Sequence, residues 1–294
     1  MIDCCYMNIQ KPVKLTETQI ENMRNLVETC NKHDGLNCSA DVDESFNEPD
    51  DLNSFLLYQD GRLLSFINLF APKKSEAELS AFTLPELRRQ GLFSRLLKEA
   101  KTEILRRGIS DILFVCDRKS KDGRKVTAHL GAAYDFSEYL MRYTAPNQTA
   151  ALLQSQFTIR PSLPEDIETL VELSLLSFDD SREDAEGYIQ GIFSSENRIQ
   201  HVALLGGKIA GMISTALENG KSYIHGLCVF PEYRKKGIGG ALLDYKAAES
   251  TRFHPDNKIE LEVMTENRGA LSIYERAGFE VIACYDYSRI TASL

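Results

Sequence analysis

A cluster of glycines and cations follows an apolar stretch near the middle of the second half of the chain. Ile224 to Phe230 predicts a buried strand that ends at Pro231, and a helix with one apolar side follows directly. Glycines at a helix start expose backbone N–H groups, which bind anions with help from the helix dipole. The sequence therefore predicts a phosphate site formed by Arg234, Lys235, Lys236, Gly237, Ile238, Gly239 and Gly240.

The spacing of these glycines excludes two common phosphate-binding motifs. A Walker loop needs four residues between its first glycine and a Gly-Lys-Ser/Thr group, and a dinucleotide fingerprint needs a third glycine three residues after Gly-x-Gly. Gly237 and Gly239 are followed by neither pattern. A different phosphate ligand is indicated.

A second motif follows the predicted strand Lys258 to Met264. It reads Asn267-x-x-Ala270-x-x-x-Tyr274-x-x-x-Gly278-Phe279, and the first motif reads Val229-x-Pro231-x-x-Arg234-x-x-Gly237-x-Gly239. In order and spacing the two motifs resemble those of the GNAT N-acetyltransferases, which bind acetyl-coenzyme A. The resemblance implies an α/β (α+β) fold whose mixed, mostly antiparallel central sheet is flanked by helices.

The resemblance also implies a mechanism and roles for several residues. The amine attacks the thioester directly, and Tyr274 protonates the leaving thiolate. Leu227, Cys228 and Val229 lie where two central strands part, and the Val229 N–H polarises the thioester carbonyl. Asn267 contacts the coenzyme arm. From the sequence alone, a helix tyrosine packed on the core is the alternative for Tyr274, and Asn267 is equally compatible with a helix N-cap.

Four residues are candidates for the general base. His225 lies just before Leu-x-Val, as in the serotonin N-acetyltransferase branch that this strand resembles, and a histidine ordinarily titrates near pH 6.5. It is also compatible with a core histidine or one paired with Tyr223. Glu260 and Glu262 share one face of the next strand, where they could hold a cationic amine, act as base or form a solvated face. Glu218 is a weaker candidate.

The same series of elements occurs twice, which indicates an internal duplication. The first half begins with a helix capped by Thr16 and continues through a hairpin turned by Asp60-Gly61. A strand, a basic turn, a helix, a strand, a short helix and a strand follow. After a polar connection, residues from Phe157 repeat the series. We expect two tandem domains of the GNAT type, 1–147 and 148–294.

The N-terminal copy keeps only part of the two motifs. Arg88-x-x-Gly91 is retained, but Phe93 stands at the place of the second glycine, and Ser120 and Thr127 lie near the places of Asn267 and Tyr274. We expect residues 1–147 to be degenerate and to support structure or shape the substrate site, with a second active site as the alternative.

Composition limits the class of protein. The 294 residues are 43% hydrophobic and 26% charged, and the net charge of −9 disfavours nucleic-acid binding. No apolar run approaches the roughly 20 residues that span a bilayer, so we expect a cytoplasmic protein without a membrane partner. The seven cysteines form no Cys-x-x-Cys pair, and we expect reduced thiols and no metal. Cys116 and Cys228 favour core packing over a nucleophilic role.

Together these observations predict an acyltransferase. We expect an acetyl-coenzyme A dependent N-acetyltransferase, a monomer or homodimer, whose residues 148–294 acetylate a primary amine of a small molecule or peptide. The alternative is a non-catalytic acyl-coenzyme A sensor or scaffold. Nucleic-acid binding through the basic turns is a third class, which the acidic charge disfavours.

Overall fold

A computed structural model describes residues 7–39, 50–71, 75–144, 157–178, 180–218 and 220–293, without the side chain of Glu218. The strands are β1 Met7–Gln10, β2 Ser54–Gln59, β3 Arg62–Phe70, β4 Glu76–Thr83, β5 Asp111–Asp117, β6 Ala133–Tyr143, β7 Thr158–Pro161, β8 Arg198–Leu205, β9 Lys208–Glu218, β10 Lys221–Val229, β11 Lys258–Met264 and β12 Phe279–Thr291. The helices are α1 Glu17–Asp34, α2 Leu92–Arg106, α3 Lys121–His129, α4 Ile167–Ser177, α5 Arg182–Ser194, α6 Ile238–Phe253 and α7 Arg268–Arg276.

The chain divides into two compact units. Unit 1 comprises the residues up to Ser137 together with those from Ala283 onward, and unit 2 comprises Glu138–Ile282. The strand order is β1-β2-β3-β4-β5-β12 in unit 1 and β6-β11-β10-β9-β8-β7 in unit 2. In each unit one described pair is parallel, β4 with β5 and β10 with β11, and the other registers are antiparallel. The predicted mixed, mostly antiparallel sheets flanked by helices are confirmed.

Each unit contains a strand from the other half of the sequence. The last part of β12 belongs to unit 1, where Tyr285–Thr291 pair with Asp111–Asp117 of β5. In the same way the last part of β6 belongs to unit 2, where Glu138–Arg142 pair with Glu260–Met264 of β11. The predicted junction between residues 147 and 148 lies outside the described residues. The boundary of the sequence repeat and the composition of the units therefore differ by these two strand segments.

Local sequence signals account for the element boundaries. The Thr16 side chain accepts a hydrogen bond from the Gln19 N–H at 3.2 Å, and Gln19 Oε1 accepts one from the Thr16 N–H at 2.9 Å, so the predicted capping box is present. Asp60 and Gly61 both have positive φ, 48° and 79°, as the predicted hairpin turn requires. α1 ends at Asp34, followed by Gly35 with a φ of 68°. None of the helices in the described ranges combines the length and apolar composition needed to cross a bilayer.

Two apolar clusters hold helices against unit 2's sheet. One joins α6 and α7 to Ile224 of β10 and to Leu261 and Val263 of β11. The other joins α4 and α5 to Val202 of β8 and Met212 of β9. Because side chains alternate between the faces of a strand, His225 and Glu262 face the α4/α5 side.

The exchanged strand makes a prediction about stability. Removing residues 283–294 takes away the β12 segment that pairs with β5 and exposes that edge. We expect the melting transition of unit 1 to fall by about 5 °C or more, because backbone pairing and buried side chains such as Tyr287 are lost. Removing only residues 293 and 294, which follow β12, is the matched control for circular dichroism melting. Equal melting curves for the two truncations would show that unit 1 does not depend on this strand.

Candidate active site

The pairing between β10 and β11 ends halfway along both strands. The register runs from Lys221↔Lys258 to Ile224↔Leu261, and no further partners are found among the described residues of these strands. The Phe230 N–H donates to Ala210 O at 2.9 Å, on the β9 side. Because successive N–H groups of a strand point to opposite sides, the Val229 N–H points toward the β11 side. The two strands thus part as expected, and the backbone of Val229 faces the opening.

A bulge in β10 lies beside this opening. The register with β9 shifts between His225 and Cys228, and Gly226 has a φ of 62°. A Cβ on Gly226 would overlap the hydroxyl of Tyr188, so both the backbone conformation and the available space require glycine. The extra residue changes which face the following side chains occupy. Cys228 consequently joins the α4/α5 cluster, and Val229 packs on the α6/α7 side.

The basic glycine turn lies between β10 and α6. Lys235 and Gly237 have φ values of 62° and 82°, and α6 begins at Ile238. The first N–H groups of a helix lack intrahelical partners, so the amides of Ile238, Gly239 and Gly240, which precede the first helical bond from the Ala241 N–H to Gly237 O, are available to an anion. Arg234, Lys235 and Lys236 are all exposed. The predicted phosphate-binding residues are thus together at one helix start.

Arg234 links this turn to the opening. Its Nε donates to the Val229 carbonyl at 3.0 Å, which holds the side chain beside the strand end. Its two terminal nitrogens make no hydrogen bond or ion pair within the described ranges. Gly239 lies nearby, since a Cβ there would be 3.8 Å from Val229 Cγ2 and 4.0 Å from Ile273 Cδ1, both ordinary contacts. The missing side chain leaves space between β10 and α7.

Tyr274 lies on α7, on the α6 side of the sheet. It is 9% exposed and packs near Phe279. Burial, and then the nearby Cys228, raise the pKa of the Tyr274 phenol to about 12. The phenol is therefore protonated across the usual pH range and can serve as an acid.

Asn267 begins the same helix and is exposed. Its Oδ1 accepts a hydrogen bond from the Ala270 N–H at 3.1 Å, so the helix-cap interpretation is confirmed. Its predicted contact with the coenzyme stays a prediction.

His225 is held by a tyrosine that the sequence analysis did not single out. Its Nδ1 lies 2.7 Å from the Tyr188 hydroxyl, and its ring stacks at 6.4 Å from that of Tyr223. Burial, and then the positive charges of Arg198 and Lys246, lower the pKa of His225 to about 3. The expectation that His225 titrates near pH 6.5 is therefore wrong, chiefly because the ring is shielded from water.

The two glutamates of β11 have different surroundings. Glu260 is 1% exposed, and its Oε1 accepts hydrogen bonds from the Arg142 guanidinium at 2.6 and 2.9 Å. Its Oε2 lies 3.3 Å from Lys221 Nζ. A solvated face is therefore the wrong description of Glu260. Glu262 is half-buried and accepts a hydrogen bond from the Tyr223 hydroxyl at 2.9 Å.

The cysteine thiols of β5 and β10 are both protonated. Burial raises the pKa of Cys228 to about 12 and that of Cys116 to about 11. Cys228 is buried in the α4/α5 cluster, which confirms its predicted packing role. A thiolate nucleophile is disfavoured at both positions.

Unit 1 repeats the backbone path of the glycine turn but closes it with acids. Arg89 and Gly91 have φ values of 62° and 80°, and Arg88 Nε donates to the Thr83 carbonyl at 3.3 Å. The terminal nitrogens of Arg88, however, contact Asp34 at 2.6 Å and Asp122 at 3.1 Å. The Arg88 guanidinium lowers the pKa of Asp34. The carboxylates of Asp34 and Asp122 thus pair with the terminal nitrogens of Arg88, whereas those of Arg234 have no such partner in the described part of unit 2.

The second motif also has its counterpart in unit 1. Ser120 caps α3 as Asn267 caps α7, and Thr127 is buried at the place of Tyr274. Phe93 packs against the unit 1 core at the place of Gly239. The predicted correspondence of these residues is confirmed, and no phenol stands at the acid position.

Sequence reasoning missed Tyr188 because its contact with His225 joins residues 37 apart. Tyr188 precedes Ile189 on a helix of mixed composition, a pattern that reads as ordinary packing. Gly226 was the available signal, since an isolated glycine inside a strand indicates a bulge or a close approach.

Comparison with known proteins agrees with this geometry. Residues 20–131 and 167–279 each match the profile of the acetyltransferase (GNAT) family. An uncharacterized N-acetyltransferase of Methanocaldococcus jannaschii is 30% identical over 138 residues, which are 42% of this chain and 61% of that protein. The chain thus spans less than two thirds of that relative.

Two solved structures are similar along nearly the whole chain. A GCN5-related N-acetyltransferase from Sphaerobacter thermophilus superposes with a TM-score of 0.73 at 20% identity, covering 98% of this chain and 96% of that one. A tandem GNAT protein from the clavulanic acid biosynthesis pathway gives 0.72 at 13% identity, covering 98% and 99%. At these identities the likeness concerns the fold alone.

The contrast between the two arginines can be tested with matched variants. We expect Arg234→Ala to weaken acetyl-coenzyme A binding about tenfold or more, because it removes charge-assisted hydrogen bonds to a phosphate. We expect Arg88→Ala to leave the dissociation constant within about twofold, because Arg88 is already paired. Isothermal titration calorimetry measures both. Equal losses in the two variants would show that the unit 1 turn also contributes to binding.

Two buried histidines predict acid sensitivity of the fold. Burial, the largest cause for both, lowers the pKa of His201 to about 4 and that of His225 to about 3. Unfolded histidine binds a proton near pH 6.5, so the free energy of unfolding rises with pH across this window and is lost as pH falls toward 4 and then 3. We expect a loss of about 2 kcal/mol per histidine between pH 7 and 4.5.

Urea denaturation at both pH values measures this loss. His201→Gln and His225→Gln should each make the free energy of unfolding less dependent on pH than it is in the unaltered protein. An unchanged pH dependence in both variants would assign the acid sensitivity to other groups.

Proposed function

This chain belongs to the acetyltransferase (GNAT) family, and we propose that residues 148–294 transfer an acetyl group from acetyl-coenzyme A to a primary amine of a small molecule or peptide. The observation that carries the proposal is the environment of Arg234. Its terminal nitrogens, beside an exposed helix start, have no partner among the described residues, and its Nε donates to the Val229 carbonyl at the strand opening. The equivalent Arg88 is closed by Asp34 and Asp122.

The turn fits a diphosphate in charge and shape. Arg234, Lys235 and Lys236 supply positive charge, and Gly237 permits the left-handed backbone that precedes the helix. The amides of Ile238, Gly239 and Gly240 supply hydrogen-bond donors without side chains that would block a phosphate from Gly239 or Gly240. We assign these residues to the diphosphate of the coenzyme.

The opening between β10 and β11 fits the thioester arm. The backbone of Leu227, Cys228 and Val229 lies past the last residue pair of these strands, where an extended arm could pair with it in place of β11. We assign the Val229 N–H to the thioester carbonyl, because a donor directed at the oxygen stabilises charge that develops there. Asn267, at the start of α7, is assigned to the coenzyme arm.

Tyr274 is assigned as the acid that protonates the leaving thiolate. The phenol lies on the α6 face, whereas His225 and Glu262 lie on the opposite face of the same sheet, so the opening separates the acid from the acceptor side. Such an arrangement supplies a proton to the thiol from one side while the amine approaches from the other.

The acceptor amine must lose a proton before it attacks. The low pKa of His225 makes it a weak base at neutral pH, and both oxygens of Glu260 contact cations. We assign the base to Glu262, which Tyr223 orients on the acceptor face, acting directly or through a water. Glu260 then orders the junction of β6, β10 and β11 through Arg142 and Lys221. The acyl acceptor, the monomer or homodimer state and the cytoplasmic location stay predictions.

Free thiol release from acetyl-coenzyme A in the presence of an amine panel tests the activity. We expect Tyr274→Phe to lower kcat about a hundredfold with unchanged coenzyme affinity, because the variant removes only the acid. We expect kcat of the unaltered protein not to fall up to pH 10, since the pKa of Tyr274 is about 12. Tyr245→Phe, which removes a hydroxyl from α6 and leaves α7 unchanged, is the matched control.

Three outcomes would change these assignments. Equal rates in the Tyr274→Phe and Tyr245→Phe variants would remove the acid role. A rate that falls below pH 6.5 and loses that dependence in His225→Gln would restore His225 as base. Tight coenzyme binding without turnover across the panel would instead support an acyl-coenzyme A sensor.

A further inference from the structure

We infer that Tyr188 is a positioning residue for His225, and that it holds the ring with its proton on Nε2, so that His225 donates a hydrogen bond to an oxygen atom of the acceptor. The acceptor class is then an amine with an oxygen on the neighbouring carbon, the α-amino carbonyl unit of amino acids and peptide N-termini. This inference rests on the proposed function for its substrate and on geometry for the role of Tyr188.

The contact with Tyr188 fixes the position of the His225 ring. Tyr188 reaches from α5 to the sheet, and its hydroxyl lies 2.7 Å from His225 Nδ1. The rings meet edge to face with centroids 5.7 Å apart. Space for this hydroxyl exists only because Gly226 has no Cβ. The bulge and the tyrosine therefore act together on the histidine.

A row of polar side chains beside Tyr188 sets the direction of its hydrogen bond with His225. Gln200, Ser214 and His225 form a row across three strands, since Gln200 pairs with Ser214 and Ser214 with His225 in the registers. Gln200 Nε2 donates to Ser214 Oγ at 3.2 Å. Because Gln200 is the donor in that bond, the proton of the Ser214 hydroxyl remains available for Tyr188.

The surroundings of Tyr188 agree with this direction. Burial raises the pKa of the Tyr188 phenol, and a hydrogen bond with the Ser214 side chain opposes that rise. Tyr188 then donates to His225 Nδ1. A neutral imidazole that accepts at Nδ1 carries its proton on Nε2.

The other ring nitrogen of His225, Nε2, is the atom that would contact the acceptor. His225 Nε2 is shielded from water and has no hydrogen-bond partner in the described part of the chain, although the residue as a whole is only half-buried. Buried polar atoms normally have partners, so this donor is a candidate contact for a ligand. The positive charge of Arg198 contributes to the low pKa of His225, and a donor N–H takes an oxygen, not a cation, as its partner.

The positions of His225 and Glu262 on neighbouring strands indicate where the acceptor amine would bind. His225 directly follows Ile224, and Glu262 directly follows Leu261, where Ile224↔Leu261 is the last pair of the parallel register. Both side chains lie on the α4/α5 face. A donor on one strand and a carboxylate on its neighbour, one residue past the last pair, match an oxygen and an amino group on adjacent carbons.

Nitrogen NMR of histidine-labelled protein tests the positioning role without any activity. The His225 signal is assigned by its loss in His225→Gln. We expect the unaltered protein at pH 7 to show the Nε2-protonated tautomer, and Tyr188→Phe to show a mixture of tautomers. A proton on Nδ1 in the unaltered protein, or an identical tautomer in Tyr188→Phe, would overturn the inference. Tyr245→Phe is the control for loss of a hydroxyl elsewhere.

Matched acceptors test the substrate class. Phenylalaninamide and phenethylamine share the ring and the amine, but only the first has the oxygen. We expect kcat/KM to favour phenylalaninamide about tenfold, and the preference to fall below about threefold in Tyr188→Phe but not in Tyr245→Phe. Equal use of both acceptors by the unaltered protein would refute the acceptor class.

Two further acceptors separate the sources of the α-amino carbonyl unit. Free phenylalanine and a tripeptide that begins with phenylalanine present it with and without a carboxylate next to the amine. Preference for either identifies the source, and both results support the shared chemistry. If no acceptor is acetylated, the proposed function and the acceptor class fail together, while the NMR result still decides the role of Tyr188.

Discussion

The pairing between β10 and β11 stops after Ile224 and Leu261, and the candidate site depends on this early end. Continued pairing would use the backbone of Val229 within the sheet and leave no opening. The bulge at Gly226 accompanies the separation and changes the faces of the residues that follow. As a result, Cys228 enters the core between the sheet and α4/α5, while the Val229 backbone and the Arg234 side chain meet at the opening. One irregularity in a strand thus brings the glycine turn and the candidate thioester site together.

Duplication has preserved the backbone of this arrangement more closely than its chemistry. Arg89 and Lys235 both have a φ of 62°, and Gly91 and Gly237 differ by 2°. The charges around the two arginines differ completely. In unit 1 the carboxylates of Asp34 and Asp122 neutralise Arg88, much as a phosphate would, whereas Arg234 keeps its terminal nitrogens open toward solvent. Phe93 also fills the position of Gly239 in the core of unit 1. The turn of unit 1 therefore keeps the backbone conformation of the turn in unit 2, but its arginine forms ion pairs with two aspartates of the protein.

Burial sets the chemistry of the site as strongly as residue type does. The pKa of Tyr274 is higher than that of a free phenol, and the pKa of His225 is lower than that of a free imidazole. Exclusion of water is the largest cause of both shifts. In each case burial favours the neutral form. The α4/α5 face consequently contains a neutral histidine and a half-buried carboxylate, Glu262. We propose that hydrogen bonding to Tyr188, more than titration, sets the role of His225 there.

Local chemistry in the sequence determined the capping box at Thr16, the turn at Asp60-Gly61 and the strand, glycine turn and helix around Gly237, because each depends on residues within one or two turns of the chain. The repeated order of elements and the family resemblance were also readable, and the two matches to the family profile agree with them. Only the tertiary structure decided that Arg88 is paired, that Glu260 is enclosed by Arg142 and Lys221, and that β6 and β12 complete opposite units. These contacts join residues far apart in sequence, and their partners are selected by packing and strand register, which no local pattern records.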